Sequence, residues 1–216
     1  MSERRFLITF PNDDTTTHYL FVWEKEVLEF ASKKGIDFTK FEGKEVTRQN
    51  VEKFLSKMKP RFVVFNGHGD ERSISGFHRE KIIEMNVNEE ALESKIVYSI
   101  SCRSACELGE SCVKKGTEAF IGYKDDFIFP TDKNKSATPI KDELSKPYLE
   151  ASNALIISIL KGNSIDAAWK ASQGVFSKNF NKLLTSESPP EAESTLWAML
   201  WDKDNQVYYG NGSAVF

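Results

Sequence analysis

An α/β fold with a mostly parallel sheet of about six strands and helices on both faces follows from three observations. Short apolar runs recur along the first 123 residues: Arg5–Phe10 (RFLITF), Arg61–Phe65 (RFVVF), Ile96–Ile100 (IVYSI) and Ala119–Tyr123 (AFIGY). Runs this short and rich in β-branched residues are buried strands. Segments with helical spacing stand between them, the crossovers that parallel neighbours require. Two of the runs lead directly to chemically capable residues, His68 and Cys102, at the carboxyl ends where open sheets of this kind bind ligands.

Arg5–Phe10 is the first strand, ended by Pro11 and the polar run Asn12–Thr17. Leu20, Trp23, Val27, Phe30 and Ala31 recur at helical spacing, with Gly35 placed to cap the end. Ile36–Phe41 (IDFTKF) alternates apolar with polar residues and predicts a second strand. Thr47 can cap a helix whose apolar face is Val51, Phe54, Leu55 and Met58, and Pro60 stops it. The strand Arg61–Phe65 then runs into Asn66-Gly67-His68-Gly69-Asp70, where glycines on both sides of His68 permit a sharp turn. Ser73–Phe77 and Lys81–Met85 are too short for core helices and predict a small hairpin beyond the sheet edge, with a helical turn at Glu89–Glu93.

Ile96–Ile100 is the next strand and delivers Cys102. Leu108, Cys112 and Val113 predict a short helix over Ala105–Lys115, ended by Gly116, and Ala119–Tyr123 follows as a strand. A helix start so close to Cys102 would favour a thiolate through its dipole. Lys124–Lys135 is a long excursion on the same edge, where such loops shape clefts. Pro147 opens an apolar helix through Leu160 that ends at Gly162. Ser164 opens another, with Ile165, Ala168, Trp169, Phe176, Phe180 and Leu183 on one side. Ser186–Glu193 reads as a surface connection, and Leu196–Trp201 with Gln206–Tyr209 predict a β-hairpin. No linker composition divides the chain. One domain over residues 1–216 is expected, its core sheet at about 5–129 and a helical and hairpin part at about 140–216.

The 216 residues suffice for one sizeable core, and 40 % hydrophobic with 28 % charged residues is ordinary globular composition. A net charge of −3 with scattered basic residues argues against a nucleic-acid or membrane surface. The apolar part of MSERRFLITF is too short for a signal peptide, and no apolar stretch reaches about 18 residues, so no membrane span is expected. Three cysteines then suggest reduced thiols and a cytoplasmic location. No Gly-x-Gly-x-x-Gly, phosphate-binding loop or Gly-x-Ser-x-Gly occurs, which removes the usual support for nucleotide binding or a serine hydrolase.

If the strands carrying His68 and Cys102 are parallel neighbours, the two side chains share one edge as a Cys/His pair. Such chemistry needs a base beside the thiol and backbone N–H groups for the oxyanion, which His68, Gly69 and Cys102 can supply. Taken singly, Cys102 is more often a structural cysteine and His68 a turn residue; their joint placement reverses that. Cys106 and Cys112 fall inside the predicted helix and read as core. A zinc site from Cys102, Cys106, Cys112 and His68 has the wrong ligand spacing, so no metal or other cofactor is expected. His18 and His78 read as surface or turn residues. Asp70, Asp125 and Asp126 lie near the edge, as His68 partners, pocket acids or plain solvated carboxylates.

VVFNGHGD, IVYSISC, a helix and GTEAFIGY together resemble the caspase-like clan of cysteine peptidases, nearest to CHAT-type and gingipain-type domains. The likeness spans roughly Arg5–Phe129 and is sharp in the His-Gly and Cys motifs. It implies a caspase-like three-layer α/β/α sandwich and a cysteine endopeptidase, with His68 as base, Cys102 as nucleophile, and Gly69 and Cys102 N–H groups as oxyanion donors. Ser104-Ala105-Cys106-Glu107 also resembles the nucleophile region of CHAT domains, but that alignment stretches the strand to an awkward length. Ile100 stands two residues before Cys102, where animal caspases carry Gln, so no charged selector is present there. Substrate contacts are expected from Ile100, Tyr123, Asp125 and Asp126. The resemblance further implies a protein or peptide substrate. Any switch is expected to act by ordering the Lys124–Lys135 loop, through a regulatory protein partner or self-association. The same fold also admits a binding or scaffold module with an unused dyad, or another Cys-dependent amidase.

Overall fold

The apolar runs pair as their pattern requires. The computed structural model describes residues 4–184 and 195–216, so the expected connection Ser186–Glu193 lies outside the described residues. Its strands are β1 (Arg5–Phe10), β2 (Asp37–Glu42), β3 (Phe62–Asn66), β4 (Gly69–Asp70), β5 (Ser73–Ser75), β6 (Lys81–Glu84), β7 (Ile96–Ile100), β8 (Ala119–Tyr123) and β9 (Gln206–Gly210). The helices are α1 (Thr15–Trp23), α2 (Lys25–Lys33), α3 (Arg48–Met58), α4 (Leu108–Lys114), α5 (Lys146–Leu160), α6 (Ile165–Leu183) and α7 (Leu196–Asn205).

The main sheet has six strands in the order β2-β1-β3-β7-β8-β9, parallel except for β9, which runs antiparallel to β8. Alternation along each strand divides the core. Phe6, Ile8, Val64, Tyr98 and Ile121 face α1, α2 and α5, whereas Leu7, Val63, Phe65, Val97 and Phe120 face α3 and α4. From β1 the chain moves left to β2, while β3, β7 and β8 proceed to the right. The sheet therefore changes direction between β1 and β3, the place where open sheets of this class bind ligands beyond the strand ends. A second small sheet, β4-β5-β6, stands at the exit of β3.

Two expectations need correction. The first long helix is broken at Glu24, which ends α1 and begins α2 while its side chain turns into the core. The expected C-terminal hairpin is instead helix α7 followed by β9. Leu196-Trp-Ala-Met-Leu-Trp is apolar on every side and so carries no readable period. Its inner face is Ala198, Met199 and the buried Asp202, while Trp197, Leu200 and Trp201 stay exposed.

The back of the sheet is fastened to its helices by hydrogen bonds inside the core. The Tyr98 hydroxyl meets Ser152 Oγ at 2.8 Å and the Tyr123 hydroxyl at 3.1 Å. Gln206 Nε2 donates to the Tyr123 hydroxyl at 3.2 Å and to Ser172 Oγ at 3.1 Å, and Ser172 Oγ donates to the Ala151 carbonyl at 2.8 Å. β7, β8, β9, α5 and α6 are thus joined through satisfied buried polar groups, which favour one packing over its alternatives. Tyr98→Phe should cost about 1–3 kcal/mol, since it leaves Ser152 and Tyr123 short of a partner. Urea unfolding checks this, with a lower midpoint and an unchanged slope expected.

Candidate active site

Parallel pairing of β3 with β7 aligns Asn66 with Ile100. His68 and Cys102 each lie two residues beyond those partners, so adjacent strands deliver them to the same edge. The turn between them is tight. A Cβ at Gly69 would lie 2.8 Å from Ser101 Cβ and 2.9 Å from Cys102 O, and one at Gly67, where φ is +150°, would lie 2.5 Å from Ser75 O. Only glycine permits the His68 turn to press against the Cys102 backbone.

His68 Nε2 faces Asp14 Oδ2 at 2.5 Å. A carboxylate only accepts, so Nε2 carries the hydrogen and Nδ1 is left as the basic nitrogen. Asp14 comes from the turn after β1 and is the N-cap of α1, its Oδ1 accepting the Thr17 N–H at 2.9 Å. Those hydrogen bonds hold its carboxyl below the usual carboxylate range, against the opposing pull of partial burial. Sequence reading missed Asp14. Its signal was an acid followed by Thr17 at cap spacing, legible as a cap but not as a histidine partner.

Cys102 is half-buried, and its thiol points toward the Phe127 carbonyl at 4.0 Å. Burial pushes the thiol pKa up, and the Asp126 carboxylate pushes the same way. Helix-dipole activation, expected from sequence, is absent: α4 begins only at Leu108, after a string of turns. The same delay leaves Cys106 exposed before the helix, not in the core as its sequence position suggested. Cys112 is buried as expected, its thiol pushed up to about 12 by desolvation.

Arg103, at φ +55°, spans the site. It pairs with Glu71 Oε1 at 2.6 Å on the His68 side and with Asp126 Oδ1 at 3.1 Å on the other. Its N–H donates to the Asp125 carbonyl at 3.1 Å. The segment Lys124–Phe129 lies along Cys102 and is held by α7: Trp201 Nε1 donates to Asp126 O at 3.0 Å, Asp202 Oδ1 accepts the Ile128 N–H at 2.8 Å, and Lys124 N–H donates to Asn205 O at 2.9 Å. The Asp202 carboxyl is buried and its pKa is raised well above the usual range by desolvation.

The other candidates separate. Ile100 and Tyr123 are enclosed in the core, which corrects their expected place in substrate binding. Asp125 and Asp126 remain at the edge beside Cys102. Asp70 turns away from His68, accepting from Arg72 N at 2.8 Å and Ser73 Oγ at 2.9 Å. His18 bonds Asn12 and His78 lies beside Asp13. Among the described residues, no three His, Cys, Asp or Glu side chains come together to hold a metal ion, and no helix is long and apolar enough to cross a membrane. A cavity of about 770 Å³ lined by Lys59, Arg61 and Lys95 opens at the opposite, amino end of the sheet.

No protein-family profile matches the sequence, and no protein of curated function matches it. Solved structures do. The Arg-specific cysteine proteinase gingipain R (RgpB) superposes with a TM-score of 0.65 at 12 % identity, over 99 % of this chain and 48 % of that one. The complex of the Porphyromonas gingivalis RgpB pro- and mature domains gives 0.58 at 11 % identity over the same shares. The fold is therefore the caspase-like α/β fold, and the chain spans about half the length of these neighbours.

Asp202 gives a signed test of how the Lys124–Phe129 segment is held. In the folded chain its carboxyl stays neutral well above 3.8, whereas the unfolded chain ionises it near that value. Its contribution is full below about pH 3.8 and declines as pH rises toward the folded pKa. Asp202→Asn keeps the acceptor for Ile128 and cannot ionise. Its Tm should exceed that of the wild type at pH 7, with the difference closing by about pH 4 in a thermal-melt series.

Proposed function

We propose that this chain is a cysteine peptidase acting through a His68/Cys102 dyad. The observation that carries the reading is the β3–β7 register, which sets both residues two positions past paired strand ends. The orientation of His68 supports it, with Nε2 occupied by Asp14 and Nδ1 left as acceptor. In this reading Nδ1 takes the Cys102 proton as Sγ bonds the substrate carbonyl carbon. The Cys102 and Gly69 N–H groups serve the oxyanion. Collapse breaks the C–N bond, the leaving amine takes the proton from His68, and water then hydrolyses the thioester with His68 again as base. Because burial raises the thiol pKa, the proton moves during attack and a resting thiolate is not required.

Substrate charge is a finer inference. Asp13, Asp14, Asp70, Glu71, Asp125 and Asp126 outnumber Arg72, Arg79, Lys81 and Arg103 around this edge, which favours a basic side chain beside the scissile bond. One solved neighbour acts on Arg, in line with this choice. Another is a proteinase with its pro-domain, and by that analogy we infer a protein partner for the edge. A binding module with an unused dyad is the second reading, favoured by the Phe127 carbonyl lying over the thiol.

A peptide library with Arg, Lys and Asp at the scissile position, together with a thiol-reactive peptide probe, tests these readings. Cys102→Ala and His68→Ala should each lower kcat/KM by about 10³-fold or more, while Cys106→Ala stays near wild type. Full activity in Cys102→Ala would refute the assignment, and a folded wild type that neither cleaves nor labels would favour the binding module. The labelled species should be the unbroken chain. Arg103–Leu108 is stitched down by bonds from Ala105 N to Tyr123 O and from Glu107 N and Leu108 N to Glu71 O, leaving no loop tip for a protease. Mass spectrometry showing label only on a fragment cut between Cys102 and Ala119 would contradict this.

A further inference from the structure

Helix α1 meets the exit of β3 twice. At its amino end, Asp14 reaches His68 Nε2. At its carboxyl end, Glu24 Oε2 accepts a hydrogen bond from Asn66 Nδ2 at 2.8 Å. Asn66 is the last residue of β3, and only Gly67 separates it from His68. One short helix is therefore fixed at both ends to the three residues Asn66–His68.

Glu24 is placed to enforce this. Its N–H donates to Leu20 O at 3.0 Å and its carbonyl accepts from Leu28 N at 3.2 Å, so its backbone belongs to both α1 and α2. Its carboxyl is buried, and neither Glu24 Oε1 nor Asn66 Oδ1 has a hydrogen-bond partner. A buried carboxylate needs several donors or a cation, and a single neutral amide does not meet that need. The neighbours that face it are the Asn66 amide from β3 and the Tyr98 phenol from β7, with Asn153 of α5 bonded to the adjacent Trp23 carbonyl. All are uncharged at neutral pH, and burial pushes the Glu24 pKa up to about 8. An aliphatic residue would fill such a space at no electrostatic cost, so an acid there, bonded to Asn66, points to a directional task.

We propose that Glu24 is the positioning residue for His68: by holding Asn66 from one end of α1, it sets where Asp14, at the other end, meets the imidazole. This rests on reading His68 as the base. In the neutral acid form the contact is intact, and ionisation above about pH 8 places a charge in a site without a counter-charge, loosening α1 at the exit of β3.

The test uses the full chain with Glu24→Gln and Glu24→Leu, read by NMR of the His68 ring nitrogens and by peptide hydrolysis. Glu24→Gln keeps an acceptor for Asn66 and should match wild type at pH 7. Glu24→Leu should shift the His68 ring signals and lower kcat by about tenfold, with KM nearly unchanged. Between pH 7 and 9 the wild-type ring signals should move more than those of Glu24→Gln, the difference isolating Glu24 from Cys102. Unchanged His68 signals in folded Glu24→Leu, or identical pH profiles for wild type and Glu24→Gln, would overturn the proposal. If Glu24→Leu does not fold, the pH comparison decides alone. If no peptide is cleaved by any variant, the peptidase reading fails while the ring signals still decide the positioning.

Discussion

The parallel register of β3 on β7 is the constraint on which the edge depends. Parallel pairing allows no hairpin shortcut, so a long crossover must intervene, and the chain uses that length to build β4, β5 and β6. A slip of β3 by one residue would send Val63 and Phe65 to the opposite face and move His68 away from Cys102 in the same step. Burial of both strands makes such a slip costly, because every residue of β3 and β7 lies in the core. Hydrophobic packing thus does the positional work before any polar group acts.

The second layer of control is polar and comes from both sides of the sheet's change of direction. β1 leads into Asp14 and α1, and β3 leads into His68, so the acid and the imidazole it meets arrive on diverging connections. On the other flank, α7 reaches Lys124–Phe129 through Trp201, Asp202 and Asn205. The C-terminal third, which packs on the back of the sheet through α5 and α6, is in this way coupled to the front edge.

Most strands and the two residues they deliver were legible because their information is local: apolar runs, a Gly-His-Gly turn, and Thr47 and Ser164 caps that form as their spacing suggests. What escaped was long-range or atypical. Asp14 lies 54 residues from His68, and nothing near either residue announces the contact. Glu24 looks like a surface acid within a helical stripe, and its inward turn breaks the very helix that the stripe predicts. Asp202 misleads in the same way, as a charge on the buried side of α7 that hides the helical period. α4 starts only at Leu108, although Ala105 and Cys106 suit a helix, because their N–H groups bond the Tyr123 and Arg103 carbonyls in a turn. Buried acids are where sequence pattern and structure part company here.

Arg103 has a consequence for how such a site can drift through mutation. Its guanidinium joins Glu71 to Asp126 across the front of Cys102 and is a favourable charge beside the thiol. Losing it alone would leave Glu71 without this partner and the Asp126 carboxylate unopposed beside the thiol, and would leave a left-handed backbone position to its successor. Replacement of Arg103 is therefore best tolerated when Glu71 and Asp126 change with it, which couples the three positions under mutation.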